Sequence, residues 1–352
     1  SLPHSFLSGK GGGGPVGISA FLSGGVTLTT GGIEFYHGNH SVTDRGDNRL
    51  IFSTNPGEQF YVGLIGAGSG GGFNKKGSMG GAGIALVTVP PGVTTMYLFM
   101  GGGGSGTDGV TAGGELYGGA AGIGGTAAYN ANAASSGGGM VGLFTSDDLS
   151  SKAITQGNAV VMVGSAGAGG SGGGSVNDYQ AGGGSINGDG LPQIISTAGG
   201  GQSSAYGATT SAGGLRGSAN YGHGSNNHQD GWALTGGKGS DSQYDGGSGG
   251  GAGYFGGGGG SVGGGYDGGS GGGGSGYIDP VYASIVGTGT TYNRDGTWIA
   301  TQGLSPSDYM TAWVRLVSGA TAYSTTSNYG GTYTGGDRGD GNAGFGVVWN
   351  AP

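Results

Sequence analysis

Glycine fills 101 of the 352 positions, and it lies within the patterned text of the chain, not in a tail. Apolar runs of strand type, such as Tyr61–Val62–Gly63–Leu64–Ile65 and Val160–Val161–Met162–Val163, alternate with glycine-rich stretches. A backbone of this kind loses more entropy on folding than any other, about 1–2 kcal/mol per residue. Glycine has no side chain to offset the loss. If the chain folds, main-chain hydrogen bonds at roughly 1 kcal/mol net apiece must hold its centre.

Pattern-free glycine-rich sequence is usually disordered. Here charged residues are only 9 % and aromatics, mostly 18 tyrosines, another 9 %, and the longest glycine run is Gly256 to Gly260. Little charge repulsion and generous aromatic content argue for an ordered middle. Net charge is −8, with scattered arginines and Lys75–Lys76 as the one adjacent basic pair, which argues against nucleic acid as a partner. Without cysteine there is no disulfide framework and no thiolate metal site. No apolar run approaches the length of a membrane span, so membrane insertion is not expected. Ser1–Leu2–Pro3–His4–Ser5–Phe6–Leu7 lacks the basic region and apolar core of a signal peptide, and a start without Met points to processing.

Helix signals are almost absent; Ser146 capping a turn over Ser146 to Lys152 is the best of them. Strands are predicted at Ile33 to Tyr36, Leu50 to Phe52, Gln59 to Ile65, Ile84 to Val89, Thr95 to Met100, Met140 to Phe144 and Asn158 to Val163. Further strands are predicted at Val281 to Val286, Thr297 to Ala300, Ala312 to Val317 and Phe345 to Trp349. Pro90–Pro91–Gly92 reads as a turn. Poor alternation over Met96 to Met100 predicts a strand covered on both faces.

From Gly164 to Gly276 apolar residues become isolated and glycine recurs as Gly-Gly-X or Gly-X-Gly. Nine prolines and no strict Gly-X-Y register exclude collagen. The expected architecture is a bundle of extended polyglycine II segments, each bonding its amides to neighbours because the conformer has no internal hydrogen bonds. The fold class is then all-β with a large polyglycine II helix bundle and almost no α-helix. The expected division is an N-terminal β or attachment region (1–57), a glycine-rich domain (58–280) and a C-terminal β region (281–352). Within the glycine-rich domain, β-sandwich strands occupy 58–163 and the bundle 164–276.

The order of elements in 58–280 resembles the glycine-rich domain of anaplastic-lymphoma-kinase-type receptors and of many bacterial and viral surface proteins. The matching stretches are Leu64 to Gly72, Ile84 to Gly104, Gly138 to Phe144, Ala159 to Gly170 and Gly271 to Ile278. The resemblance implies a small β-sandwich fused to a polyglycine II bundle. In composition the chain is also similar to the receptor-recognising tip adhesins of T-even-type phages, and its opening residues look like phage fibre starts. In those adhesins, variable loops between glycine-rich motifs contact the host. The receptor relatives carry cysteines and adjoin transmembrane and kinase segments, none of which occurs in these 352 residues, so the viral or bacterial surface reading is favoured.

Several motifs have a plainer reading. Arg45–Gly46–Asp47 and Arg338–Gly339–Asp340 match an integrin triplet but read better as polar β-turns. Gly103 to Thr111 fits a calcium β-roll nonapeptide at Asp108 and Gly236 to Tyr244 nearly does, yet that architecture needs tandem copies. His223, His228 and Asp230 offer zinc-type donors, though a polar loop over Tyr221 to Trp232 is the simpler account, so no metal is assigned. Recognition is placed on the rod-connecting loops: Asp178 and Tyr179; Tyr221, His223, His228, Asp230 and Trp232; Tyr244 and Asp245. No carboxylate pair stands out around Glu34, Glu58 or Glu115, and no Gly-x-Gly-x-x-Gly precedes a helix, so neither an enzyme nor a cofactor is expected.

The sequence therefore points to an extracellular structural or adhesive protein, a bacteriophage virion fibre, spike or decoration protein with host-binding loops. Expected partners are other copies, other virion or surface proteins, and a host-surface glycan or protein. A self-assembling bacterial sheath, surface-layer or filament subunit is the alternative. A third class, a ligand-binding ectodomain, would need an acidic concave face.

Overall fold

The computed structural model describes residues 26–28, 33–36, 40–44, 49–71, 77–78, 80–106, 113–114, 134–147, 156–169, 181–191, 204–218, 227–242, 246–262, 268–292, 298–302, 341 and 343–351. Among them run strands β1 (Val26–Leu28), β2 (Ile33–Tyr36), β3 (Val42–Asp44), β4 (Arg49–Ser53), β5 (Gln59–Ile65), β6 (Ala82–Thr88) and β7 (Thr95–Met100). They are followed by β8 (Val141–Phe144), β9 (Ala159–Val163), β10 (Tyr277–Ile278), β11 (Ala283–Tyr292), β12 (Trp298–Gln302) and β13 (Phe345–Asn350). Helical geometry among the described residues is confined to 156 and 157. Regular secondary structure among the described residues is nearly all β.

Two sheets form, one ordered β1-β2-β13-β5-β6-β11-β12 and the other β10-β9-β8-β7-β4-β3. Neighbours are antiparallel apart from β13 against β2. Alternation aims one set of apolar residues between the sheets: Leu50 and Phe52, Phe60 to Leu64 at every second position, Met96, Leu98 and Met100, and Val348. Phe52 meets Phe60 edge-on with ring centroids 5.7 Å apart. Each such side chain contributes about 1.5–3 kcal/mol by burial.

Two Pro-Gly turns on one side carry the chain from one sheet to the other, from β4 to β5 and from β6 to β7. Glu58 N–H donates to Asn55 O at 3.0 Å and Val93 N–H to Pro90 O at 3.1 Å, with φ of 80° at Gly57 and 79° at Gly92. That geometry needs glycine at the third turn position. The Glu58 carboxylate also holds His40 Nε2 at 2.8 Å and the Asn55 amide at 2.9 Å.

At the other end β5, β7 and β9 run straight into glycine-rich segments, and the hydrogen bonds change direction. Successive amides of 256–260 donate to Trp232, Gly251, Tyr206, Gln229 and Ser248, so every third one returns to the same neighbour. Their carbonyls accept from Gly214, Gly237, Gly272, Gly217 and Ser240 in the same rotation. Six segments thus surround this one. Residues 164–169 repeat the pattern, donating in turn toward 181–184, 249–252 and 67–70. Close approach is what makes this possible. A Cβ on Gly257 would stand 2.0 Å from the Gly272 carbonyl oxygen, and one on Gly164 1.8 Å from that of Gly274.

A second apolar cluster fastens this lattice to the sheets. Phe99, Phe144 and Met162, on the outer face of the six-stranded sheet, are covered by Leu234 and Ala252 from the glycine-rich part. Phe99 and Phe144 meet edge-on at 5.2 Å. Between them Gly142 leaves room, since a Cβ there would lie 2.7 Å from Met162 Cγ. Leu234 is fully buried at φ 63°, a conformation costly for a branched side chain. Its burial offsets the strain. The strand Thr95–Met100 is accordingly covered on one face by the sandwich core and over Phe99 on the other, while Tyr97 is half-buried.

Several boundaries move. The strand expected to start at Ile84 begins at Ala82, because Gly83 pairs with Leu64 as well as any apolar residue would. The strand expected over Val281 to Val286 runs instead from Ala283 to Tyr292, with a bulge between Ile285 and Gly287. Ser146 and Asp147 are not helical, and Ala312 to Val317 lies outside the described residues. The sheets also run through the compositional boundaries at 57 and 280: β4 pairs β7, β11 pairs β6, and β13 inserts between β2 and β5.

Candidate functional site

The ends of the glycine-rich segments are where side chains reach solvent. Near the sandwich, short turns reverse the chain: Gly188 N–H to Ser185 O at 2.9 Å, Thr209 N–H to Ala212 O at 2.9 Å, and a reciprocal pair between Trp232 and Thr235 at 3.0 and 3.1 Å. At the far end, buried serines close the lattice. Ser105 N–H donates to Ser136 Oγ at 2.7 Å, Ser270 N–H to Ser204 Oγ at 3.3 Å, and Ser135 Oγ to Gly169 O at 2.8 Å. Serine there supplies an acceptor or donor to the main chain with almost no bulk.

On the flank, side chains do the same work with charge. Asp230 Oδ1 accepts the Arg216 amide at 2.8 Å, and Asp189 Oδ1 accepts that of Thr210 at 2.8 Å. Arg216 Nη1 donates to His228 O at 3.2 Å, and its Nε stands 4.0 Å from Asp230 Oδ1 with both side chains about half exposed. Asp241 receives Lys238 Nζ at 3.0 Å and the Asn227 amide, while its own N–H donates to Asn227 Oδ1 at 3.1 Å. Three neighbouring segments, 213–218, 227–231 and 236–242, therefore present one polar surface beside Leu215, which is 59 % exposed.

Of the nine residues expected to carry recognition, three are described. His228 is buried at 6 %, its Nε2 2.9 Å from the Gly217 carbonyl. Asp230 is exposed beside it. Trp232 is half-buried at the opposite end of the described stretch 227–232. Gln229 N–H to Lys238 O and Gly231 N–H to Gly214 O place 229–231 inside the lattice. Asp178, Tyr179, Tyr221, His223, Tyr244 and Asp245 lie outside the described residues, as do Asp108 and both Arg-Gly-Asp triplets.

Arg216, Asn227, Lys238 and Asp241 were not singled out in the sequence. Lys238 and Asp241 stand in the stretch that nearly matches a calcium nonapeptide; the carboxylate there faces an ammonium and an amide. No three His, Asp or Glu side chains converge as metal ligands among the described residues. No helix among them is long and apolar enough to cross a membrane.

Where lattice meets sheet, Tyr254 and Tyr277 stack with centroids 4.0 Å apart and planes 8° from parallel. Phe255 meets Tyr254 edge-on, and Gln156 Nε2 donates to Tyr254 O at 2.6 Å. Burial raises the pKa of both phenols; the charge on Tyr254 adds to this for Tyr277, and the nearby Asp279 carboxylate adds for both. A hydrogen bond between the phenols pulls Tyr254 partway back. Comparison with models of known protein families and with curated proteins gives no match.

Proposed function

We propose that the protein is an extracellular structural or adhesive component, a bacteriophage fibre, spike or decoration protein whose glycine-rich part is a polyglycine II bundle. One observation carries the reading: amides of 256–260 and 164–169 address three neighbours in strict rotation. A left-handed helix of three residues per turn without internal bonds produces that rotation. A body held by main-chain bonds on all sides is stiff and leaves its side chains free for surfaces. The connecting segments, with the Arg216, Asp230, Lys238 and Asp241 surface beside them, are then where a host glycan or protein is met. Mixed charges at half-exposed positions suit recognition by hydrogen bonding better than capture of a strongly charged partner.

Purified protein should bind intact bacteria that serve as hosts and should be found on phage particles by immuno-electron microscopy. Ordered filaments forming from the protein alone, without cell binding, would favour the sheath or surface-layer alternative. A monomer that neither binds nor assembles would sink both readings.

A further inference from the structure

We propose that Tyr254 and Tyr277 are a modification site, poised to form an intramolecular dityrosine bond that fastens the glycine-rich lattice to the six-stranded sheet. The geometry is specific. Their rings are near-parallel, with centroids 4.0 Å apart. At that separation ring carbons of the two phenols lie about 4 Å apart, ordinary carbon contact. Both side chains are half-buried, reachable from solvent yet held in place. Tyr254 follows the lattice segment 246–253, and Tyr277 is the first residue of β10, paired with Met162. A bond between them would close the joint that Leu234 already plugs.

The chemistry requires a one-electron oxidant, here a haem peroxidase with hydrogen peroxide. Each phenol gives up one electron and its hydroxyl proton. The two radicals join through the ring carbons ortho to oxygen. Each of those carbons then releases its hydrogen as a proton, which returns to the oxygen and restores the aromatic ring. Two hydrogen atoms leave in all, and one hydrogen peroxide becomes two waters. The stacking keeps the two rings together for the coupling. The inference is independent of the host-attachment reading.

The full-length protein treated with peroxidase and hydrogen peroxide should lose two hydrogens in mass and acquire dityrosine fluorescence. Peptide mapping should join the peptides carrying Tyr254 and Tyr277 as the main intramolecular product. Tyr254→Phe and Tyr277→Phe should each abolish that product while leaving the melting temperature of untreated protein near wild type. Protein unfolded in urea before treatment should show no preference for this pair. Cross-links spread over other tyrosines in the folded protein, or a main product unchanged by Tyr277→Phe, would overturn the proposal.

Discussion

Three glycines illustrate three different reasons for the same residue. At Gly157 an added Cβ meets nothing within 4 Å and φ is not positive, so alanine fits without strain. Gly157→Ala should change stability by less than about 1 kcal/mol, in the stabilising direction. At Gly92 there is also open space, but φ is 79°. Gly92→Ala should cost about 1–2 kcal/mol from backbone strain alone. At Gly257 the new methyl collides with the main chain of a neighbouring segment. The lattice must part there, losing several hydrogen bonds at roughly 1 kcal/mol each, so Gly257→Ala should cost about 3 kcal/mol or more. Urea denaturation of the three variants checks the ranking; equal costs would refute it. Leu234 is the converse case, a buried side chain on a strained backbone. Leu234→Ala should lose about 2–5 kcal/mol. Glycine normally does worse than alanine, yet Leu234→Gly should be at least as stable as Leu234→Ala because it releases the positive-φ strain.

Among elements, the glycine-rich segments behave as a lattice and the strands as a sandwich, yet both rest on the same cross-chain bonds. Amides of 256–260 and 164–168 donate to carbonyls in other segments and are buried. Their hydrogen exchange should therefore be as slow as that of β5 and β8, far slower than that of exposed turns such as 209–212. Exchange as fast as the turns would remove the lattice as a stabilising element. The Tyr254–Tyr277 joint adds a pH signature. Both phenols are raised above the ordinary value of 10.0, chiefly by burial. The folded state then binds protons more tightly than the unfolded state. Its contribution is complete below pH 10 and is lost as pH rises through the folded values. Thermal melts from pH 9 to 11.5 (a range of roughly the size needed to cross the tyrosine region) should show a smaller alkaline loss in the double Tyr254→Phe, Tyr277→Phe variant than in wild type. Identical alkaline loss in both would contradict this joint.

At the scale of the whole molecule, the chain repeatedly crosses from sheet to lattice and back. β5, β7 and β9 each continue into glycine, and segments 134–140 and 269–276 lead back into β8 and β10. Lattice and sandwich therefore share their covalent chain at many points, besides the plug at Leu234. Such a body should unfold in one transition rather than two. Calorimetry showing a separate transition assigned to residues 164–276 by limited proteolysis would contradict this. A body joined at so many points suits a component that carries a polar surface on its flank, as the Arg216–Asp230 and Lys238–Asp241 contacts do.

Much of the local structure was legible from the residues. The strands Ile33 to Tyr36, Gln59 to Ile65 and Thr95 to Met100 have the expected ends, and Pro90–Pro91–Gly92 turns as proline and glycine dictate. These features depend on β-branched and aromatic runs bounded by turn residues, which is local information. The demand that glycine-rich text be held by its own main chain was also readable, because nothing else in its composition can hold it. What only the tertiary structure decided is partnership. No local signal places β13 between β2 and β5, drops Leu234 onto Phe99 and Phe144, buries His228 against Gly217, or stacks Tyr254 on Tyr277. Residues far apart in the chain meet there through shape and hydrogen-bond geometry, and glycine, which looks the same at every position in the sequence, acquires a distinct role only from the atoms it is made to approach.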